Sequence, residues 1–169
     1  VVNQKGGVGK TTTTVNLASA VGALGRRVLL VDTDPQGNAT SGLGVDKRRL
    51  TVSVYDLLIG SAQPEQAIMR TSYRGVDVLP SSMQLAGAEI EMVVVNRRES
   101  RLKAALAPLR EKYDYLFIDC PPSLGLLTLN ALCAADSLLV PVQGEYYALE
   151  GLSDLMNTVR IVRRSMNPR

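Results

Sequence analysis

The chain has 169 residues and a formal net charge of +3, a length that suits one domain with a sizeable core. It contains no histidine, which excludes an imidazole base, a histidine-led triad and a histidine-ligated zinc site within these residues. The sequence pI near 9.0 allows an acidic partner without proving one.

The cysteines and the apolar runs indicate a compartment. Cys120 and Cys133 lie outside any CxxC pair, so we expect buried free thiols in a reducing environment. No apolar run in this sequence reaches the roughly 18 residues of a membrane span, and no secretory signal pattern is visible. We therefore predict a cytoplasmic protein.

A glycine-rich stretch follows Val1 and Val2, and residues 3–12 read NQKGGVGKTT. Glycines let backbone N–H groups turn towards an anion, and a helix that begins directly after them adds its positive dipole end. We predict that this stretch holds nucleotide phosphates, with Lys10 neutralising the terminal phosphates and the Thr11 hydroxyl binding Mg²⁺. The residues predicted to form the cradle are Lys5, Gly6, Gly7, Val8, Gly9, Lys10, Thr11 and Thr12.

The stretch departs from the pattern G-x-x-x-x-G-K-[ST] in two places. Gln4 stands where the pattern has its first glycine, and Lys5 adds a cation inside the loop. A phosphate loop normally follows a buried strand, and Val1 and Val2 are too few residues for one. We expect that the first strand is incomplete in this sequence.

The following segments alternate between helix and strand. Residues 11–24 carry apolar side chains at helical spacing with Gly25 as a C-cap, and 28–31 form an all-apolar run that fits a doubly buried strand. Further strands are predicted at 76–79, 115–118 and 137–142, and further helices at 52–59, 65–70, 124–134 and 149–165. Residues 85–109 are predicted to be mostly helical, and 39–50 to form a loop. This alternation predicts one α/β domain over 1–169, with a doubly wound, mainly parallel sheet and helices on both faces, as in P-loop NTPases.

Acidic residues follow two of the predicted strands. Asp32 and Asp34 come after residues 28–31, and Asp119 ends the strand that begins at residue 115. In open α/β sheets ligands bind beyond the carboxyl ends of the strands, where these carboxylates would face the glycine-rich loop. We predict that Asp119 holds Mg²⁺ through water, Asp34 orients the attacking water and Asp32 borders the hydration shell of the metal. The predicted metal-binding residues are thus Thr11, Asp32 and Asp119.

Each of these signals has an alternative interpretation. A glycine cluster also forms tight turns, and Asp119 precedes prolines as a helix N-cap would. A dinucleotide-binding fold would use Gly7 and Gly9 at its turn and Asp32 for the ribose. A dinucleotide-binding fold would give no role to Lys10, Thr11 and Asp119, and Thr12 stands where its motif G-x-G-x-x-G has the third glycine. Taken together, the residues favour a nucleoside-triphosphate site.

Four blocks of the sequence resemble the ParA/MinD family of deviant Walker A ATPases, and within it the ParA/Soj-type chromosome and plasmid partitioning ATPases. Residues 5–12 look like the deviant Walker A motif, and 28–38 (VLLVDTDPQGN) resemble the segment that follows it. Residues 119–123 (DCPPS) are similar to the Walker B and switch II motifs, and 141–151 (PVQGEYYALEG) are typical of the Soj-like branch. The blocks occur in the order of the family and span nearly the whole chain.

The resemblance implies an ATPase that uses ATP and Mg²⁺, hydrolyses ATP slowly and forms an ATP-sandwich homodimer. In that family the lysine at the place of Lys5 reaches the nucleotide phosphates of the partner subunit, which adds Lys5 to Lys10 and Asp34 as a catalytic residue. The family's ATP dimer binds DNA without sequence preference, and a ParB-type centromere-binding protein resets it by stimulating hydrolysis. The resemblance therefore implies a switch for DNA segregation that is nucleoid-associated and has no membrane partner.

Parts of the family pattern lie beyond this sequence. Family members continue past residue 169 with further strands and a C-terminal helix, so we expect that the C-terminal third is missing together with the first strand. That third carries the adenine-recognition residues and much of the DNA-binding surface. Within this sequence, Arg160, Arg163 and Arg164 are spaced for one helical face that could contact phosphates, although a solvated face is the ordinary interpretation.

Other functions use the same fold and stay open as alternatives. A MinD-like membrane-associated positioning ATPase would need an amphipathic C-terminal helix, and none is visible in this sequence. An electron-transfer iron protein would hold a cluster through two cysteines per subunit, but Cys120 lies inside the switch motif and Cys133 in a helix of Ala and Leu. A nucleotide-binding scaffold without turnover is a further alternative.

Overall fold

The structure, a computed structural model, describes residues 1–144 and 148–168. Its strands are β1 (Val28–Asp32), β2 (Met69–Arg70), β3 (Val76–Leu79) and β4 (Tyr115–Asp119). Within the described residues these strands form one sheet with the order β2-β3-β1-β4. β1 pairs in parallel with β3 and β4, and β2 joins β3 antiparallel. The predicted mainly parallel sheet is confirmed, whereas residues 145–147 of the Soj-like block lie outside the described residues.

Helices cover both faces of this sheet. They are α1 (Lys10–Ala23), α2 (Asn38–Gly42), α3 (Val54–Ile59), α4 (Pro64–Ala67), α5 (Leu85–Glu91), α6 (Arg101–Leu106), α7 (Leu126–Ala134) and α8 (Ala148–Ser165). Short 3₁₀ turns lie at Lys47–Arg49, Met92–Val94, Arg98–Ser100 and Ala107–Leu109. α1 and α2 belong to the apolar cluster on one face, and residues of α3 to α8 belong to the cluster on the other. The doubly wound prediction is confirmed.

The apolar run of β1 is explained by these two clusters. Successive side chains of a strand point to opposite faces, so Val28 and Leu30 enter the cluster with α1, and Leu29 and Val31 enter the cluster with α3. All of β1 is buried. Each fully buried Val or Leu contributes about 1.5–3 kcal/mol relative to an exposed one, and β1 is therefore the centre of the fold.

Two turns meet at the amino ends of β1 and β3. Gly22 of α1 lies under the turn before β3, where an added Cβ would come 2.5 Å from the Arg74 carbonyl oxygen. Gly75 has a φ of +74°, and its added Cβ would lie 2.7 Å from the Arg26 carbonyl oxygen. The Val28 amide donates to the Gly75 carbonyl at 2.8 Å. Because Gly22 and Gly75 have no Cβ, the backbones of the turn before β1 and the turn before β3 can come into contact.

The prediction of a loop at 39–50 is wrong, and so is the end of the helix predicted at 65–70. Residues 38–42 form α2, in which the amide and hydroxyl of Thr40 bind the Asp32 carboxylate eight positions earlier. The helix predicted at 65–70 is α4, which stops at Ala67, after which Met69 and Arg70 pair with β3. Both differences involve contacts with a strand of the sheet, which local composition does not encode.

The stretch at 85–109, predicted to be mostly helical, consists of α5, α6 and three 3₁₀ turns. It breaks after α5, and Arg97 adopts a left-handed φ of 54°. The side chain of Asn130 in α7 then receives a hydrogen bond from the Leu102 amide at 3.0 Å and donates one to the Arg98 carbonyl at 2.9 Å. A buried amide from another helix therefore supports the start of α6. The next helix, α7, begins at Leu126 rather than at the predicted residue 124.

The predicted strand at 137–142 is not formed as a strand. The extended residues Val1 and Val2 run between β4 and this segment: the Cys120 amide donates to the Val1 carbonyl at 3.2 Å, and the Val2 amide donates to Leu139 at 3.0 Å. These few hydrogen bonds are not enough to make a strand of residues 1–2 or of residues 137–142. Beside it, a cavity of about 600 Å³ follows β4. That a longer first strand precedes Val1 stays a prediction.

The longest helix described is α8, with 18 residues. None of the helices in residues 1–144 and 148–168 combines the length and the apolar character that crossing a bilayer requires.

We predict that Gly75→Ala destabilises the chain more than Gly25→Ala. Both glycines have a positive φ, but an added Cβ at Gly75 meets backbone oxygens within 3 Å, whereas none lies within 4 Å at Gly25. The left-handed conformation costs about 1 kcal/mol in both variants, and the clash adds about 2 kcal/mol at Gly75. Urea unfolding of the two variants measures the difference, and equal midpoints would contradict the close docking of the two turns.

Candidate functional site

The glycine-rich loop is an open cradle in front of α1. Gly7 and Gly9 have φ values of 75° and 84°, in the left-handed region that glycine tolerates best. No atom lies within 4 Å of a Cβ built on either residue, so the requirement for glycine comes from backbone conformation rather than crowding. The loop leaves its concave side free where the 14-residue α1 begins, and helix N-termini of this kind bind anions.

Asn3 and Gln143 hold this loop from behind. Asn3 is buried; its side-chain oxygen accepts from the Lys5 amide at 2.9 Å and its side-chain nitrogen donates to the Pro141 carbonyl at 2.8 Å. Gln143 donates to the Gly7 carbonyl at 3.3 Å. Neither residue was predicted from the sequence. Asn3 lies in the glycine-rich stretch 3–12 and Gln143 in the block 141–151, but the contact of Asn3 with Pro141, 138 positions away, has no signal in a single sequence.

Lys10 lies buried beneath the loop, with 7% of its surface exposed. Its ammonium group donates to the Lys5 carbonyl at 2.8 Å. Burial lowers the pKa of Lys10, while the nearby carboxylates of Asp119 and Asp34 oppose this shift. A buried ammonium group needs anionic partners, and the open cradle places it where an incoming phosphate would supply more of them.

Asp119 ends β4 directly against α1. Its two carboxylate oxygens accept from the hydroxyls of Thr11 at 2.8 Å and Thr14 at 2.9 Å. The Thr33 hydroxyl and amide donate to the Asp119 main-chain carbonyl at 2.6 Å and 2.9 Å. Burial raises the pKa of Asp119, and the two hydroxyls counteract it. The contact of Thr11 with Asp119 joins the predicted metal ligand to the predicted strand-end acid.

Asp32 is directed away from that contact into the protein. It is fully buried, and one carboxylate oxygen accepts from the Thr40 amide and hydroxyl, each at 2.7 Å. The other oxygen accepts from the Asp34 amide at 3.2 Å. Asp32 therefore folds the segment from β1 to α2, a task that the sequence did not indicate. Its predicted place beside the metal stays a prediction.

Asp34 is held at the rim of the site by its backbone. The Ser81 hydroxyl, just beyond β3, donates to the Asp34 carbonyl at 2.6 Å, and the Gln36 amide donates to its carboxylate at 2.9 Å. The Asp34 carboxylate acts electrostatically on Lys10 and on Asp119, so the three groups share one environment. The sequence analysis missed Ser81, which follows a predicted strand without any motif around it.

The remaining cradle residues line the approach to this group. Lys5 is half-buried, and its amide and carbonyl are bound by Asn3 and Lys10. Val8 is buried, whereas Gly6 and Thr12 are exposed. The structure thus brings Lys10, Thr11, Asp34 and Asp119 together at the carboxyl edge of the sheet.

The donor set suits Mg²⁺ held by few protein ligands. Mg²⁺ keeps several waters and is bound by one or two protein oxygens together with phosphates, and Thr11 and Asp119 present a hydroxyl and a carboxylate 2.8 Å apart. Within the described part of the chain, no three or more His, Cys, Asp or Glu side chains form a closed metal cage. An open hard-oxygen site shared with phosphate is the arrangement that remains.

The cysteines have no property of cluster ligands. Cys120 is buried at the end of β4, and burial raises the pKa of its thiol to about 11. Burial also raises the pKa of Cys133, whose sulfur lies 3.7 Å from the Met166 sulfur. Iron–sulfur ligation requires thiolates, so these environments disfavour the iron-protein alternative.

The sequence is similar to known partitioning proteins. A family model described as AAA domain matches residues 1–169. The sporulation initiation inhibitor protein Soj of Bacillus subtilis is 59% identical over 167 residues, which cover 99% of this chain and 66% of that protein. The chromosome partitioning protein ParA of Myxococcus xanthus is 54% identical over 168 residues, which cover 99% of this chain and 59% of that protein. The chain thus spans less than two thirds of the length of these curated relatives.

A solved structure shows the same fold. The chain matches the cobyrinic acid a,c-diamide synthase from Mycobacterium smegmatis, crystallised with bound ATP analog and magnesium, with a TM-score of 0.95. The identity is 47%, and the match covers 99% of this chain and 68% of that one. This likeness confirms the predicted P-loop NTPase architecture.

We predict that the free energy of unfolding falls as the pH rises from about 4 to about 6 and that Asp32→Asn reduces this slope. Burial raises the pKa of Asp32 from 3.8 to about 6, against the opposing hydrogen bonds of Thr40. Between these values the folded chain binds more protons than the unfolded chain, so deprotonation destabilises the fold, by about 3 kcal/mol for this shift. Below pH 4 the loss is absent, and above pH 6 it is complete.

Urea unfolding at pH 4, 5, 6 and 7 measures this slope, with Asp154→Asn on the exposed face of α8 as the matched control. Asp119, whose pKa burial also raises, leaves part of the slope in Asp32→Asn. A slope equal to that of the parent chain would show that Asp32 does not titrate in this range.

Proposed function

The chain belongs to the AAA domain family and, within it, to the ParA/Soj-type partitioning ATPases, and on that premise we propose that it is an ATP-dependent switch for DNA segregation. In this proposal residues 1–169 are one ATPase domain that hydrolyses ATP slowly with Mg²⁺. Its ATP-sandwich homodimer binds DNA without sequence preference until a ParB-type partner stimulates hydrolysis. The observation that carries the proposal is the meeting of Lys10, Thr11, Asp34 and Asp119 beside the open glycine cradle.

ATP and Mg²⁺ suit this site in charge and in ligand chemistry. The solved relative from Mycobacterium smegmatis contains an ATP analog and magnesium. Here the cradle amides and Lys10 would hold the phosphates, and Thr11 and Asp119 would hold the metal, which neutralises charge on the phosphate oxygens. Phosphoryl transfer requires positioning and charge neutralisation more than covalent catalysis. This requirement fits a site without histidine.

The residues divide the chemistry according to their contacts. The Lys10 ammonium group donates to the Lys5 carbonyl, so its charge faces the phosphates rather than solvent. Asp34 lies at the rim, with its backbone fixed by Ser81, and orients the attacking water. With Mg²⁺ bound, the Thr11 hydroxyl would bind the metal and Asp119 would face its hydration shell in place of the hydrogen bond from Thr11.

Lys5 is the residue that makes the site a shared one. It lies in the loop directly above Lys10 and is half-buried. In the proposed dimer its ammonium group reaches the phosphates of the partner subunit's nucleotide, so that triphosphate occupancy and dimerisation are coupled, as they are by an arginine finger supplied in trans.

The output of the switch is proposed to be DNA binding in the nucleoid. The relatives named above are a chromosome partitioning protein and a sporulation initiation inhibitor. The chain has a net charge of +3, and Arg160, Arg163 and Arg164 are exposed on α8, available for phosphate contacts. Cytoplasmic, nucleoid-associated localisation follows from this proposal.

Asp34→Ala is expected to lower the rate of ATP hydrolysis about 100-fold, within the range of a lost general base or water-orienting group, while ATP still binds. The fold should persist because Ser81 and Gly37 bind the Asp34 main chain rather than its carboxylate. Phosphate release and binding of a fluorescent ATP analogue measure the two effects, with Asp154→Ala as the control. If Asp34→Ala hydrolyses ATP normally while folded Asp32→Ala does not, the roles assigned to the two acids are reversed.

Lys5→Ala is expected to bind ATP but to lose the ATP-dependent dimer and its DNA binding. Light scattering and co-sedimentation with DNA are measured with ATP, with ADP and without nucleotide. The parent chain should dimerise and sediment with ATP alone, and Lys103→Ala, an exposed lysine of α6, should match it. Unchanged dimerisation in Lys5→Ala would contradict the role in trans, and DNA binding that ignores nucleotide would remove the proposed switch.

A further inference from the structure

A second charged surface lies at the edge of the sheet opposite to the glycine cradle. Parallel strands place their amino ends together, and the cations around the amino ends of β1 and β3 come from three segments. We call this surface the basic face; it consists of Arg26, Arg27, Arg70, Tyr73, Arg74 and Lys112. Because β1 separates it from Asp32 and the loop, a ligand on the basic face does not compete with a nucleotide.

The basic face is held rigidly by backbone contacts. The turn before β3 is closed by Thr71, whose hydroxyl donates to the Val76 carbonyl at 2.7 Å and accepts from the Tyr73 amide at 3.1 Å. The same turn is docked on Gly22 of α1, where an added Cβ would come 2.5 Å from the Arg74 carbonyl. The backbone positions that carry the cations of the two turns are therefore fixed before any ligand arrives, and such preorganisation lowers the cost of binding.

Three arginines of the basic face have charge available for a ligand. Arg70 has 92% of its side chain exposed, and its nearest carboxylate, Asp77, lies 3.6 Å away. Asp77 already accepts from the Tyr113 hydroxyl at 2.8 Å. In the described part of the chain, Arg26 and Arg74 have no carboxylate within 4.0 Å.

The other two cations of the basic face are committed to ion pairs. Arg27 binds Asp114 at 2.8 Å and Lys112 binds Glu65 at 2.7 Å. Exposed ion pairs of this kind contribute little to stability. Here they hold the side chains of Arg27 and Lys112 along the two sides of the groove. The charge that remains for an anion comes from the arginines between these two side chains.

The groove of the basic face has the donors that a phosphodiester needs. It encloses about 510 Å³, and the described carboxylate that lines it is Asp77, against the cations Arg27, Arg70, Arg74 and Lys112. The hydroxyls of Thr71 and Ser72 and the half-exposed ring of Tyr73 complete its lining. Arginines, hydroxyl donors and an aromatic ring are the groups that contact phosphates and sugars and stack on bases.

We propose that the basic face binds the phosphate backbone of DNA, in addition to any contact made by α8. The inference rests on the proposed function for its partner and deepens it by naming the surface. Arg26, Arg70 and Arg74 contact phosphates, the Ser72 hydroxyl donates to their oxygens, and Tyr73 lines the groove. The site reads charge and backbone rather than sequence.

The test compares the double variant Arg70→Gln/Arg74→Gln with Arg97→Gln/Lys103→Gln, which removes the same charge at exposed positions outside the basic face and α8. Fluorescence anisotropy with a labelled DNA duplex is recorded with and without ATP between about 50 and about 200 mM KCl, since each lost phosphate contact lowers the salt slope by about 1. The basic-face variant should lower that slope by about 2 and the affinity at about 150 mM KCl at least tenfold. Its ATP binding should stay equal to that of the parent chain.

The outcomes separate this inference from the proposed function. ATP-dependent DNA binding that is unchanged in the basic-face variant overturns the inference and leaves the switch standing. Binding that ignores ATP but is lost in the variant supports the inference and removes the switch. No binding of the parent chain to DNA at about 50 mM KCl, or binding to anionic phosphatidylglycerol vesicles in place of DNA, overturns the inference.

Discussion

The Asp119 carboxylate, buried between two hydroxyls of α1, is the constraint on which the site depends. Thr11 and Thr14 donate to its side chain, and Thr33 donates to its main-chain carbonyl. One residue thus joins the helix of the glycine loop, the end of β4 and the turn after β1. Because an unpaired buried carboxylate is costly, these three elements keep a common arrangement, and the cradle is aligned with the strand ends.

A second hydrogen-bond network gives Asp32 and Asp34 different roles, since it buries Asp32 as a structural support and positions Asp34 near the cradle. The Asp32 carboxylate accepts hydrogen bonds from the amide and the hydroxyl of Thr40. The Thr40 hydroxyl in turn accepts one from the Ser81 amide at 3.0 Å. Ser81 donates to the Asp34 carbonyl, so β1, β3 and α2 together place Asp34 at the rim. The acid nearest the end of the strand is the buried support, and the acid two residues later remains near the cradle.

The two functional surfaces lie at opposite ends of the same rigid elements. α1 begins at Lys10 under the cradle and ends beside Arg26, and β1 runs from Val28 at the basic face to Asp32 at the acids. Packing between them is close, as the contact of Gly22 with the turn at Arg74 shows. The proposed nucleotide site and the basic face therefore do not overlap.

Periodicity and local chemistry allowed the main elements and the cradle to be predicted from the sequence. The run at 28–31, the helix after Gly9 and the strand ending at Asp119 depend on near neighbours, and the structure contains all three. The break at Arg97 and the helix α2 could not be predicted, because Asn130 and Asp32 decide them from distant positions.

The sequence by itself determined the α/β class, the phosphate-binding loop and which acids stand at strand ends, since each is a property of residues that are adjacent in the chain. The tertiary structure alone decided that Asp32 is a support and that Asn3 and Ser81 belong to the site. It also decided that the arginines of two separate turns form one surface. The physical reason is that burial and hydrogen-bond partners arise only when segments far apart in the chain come together.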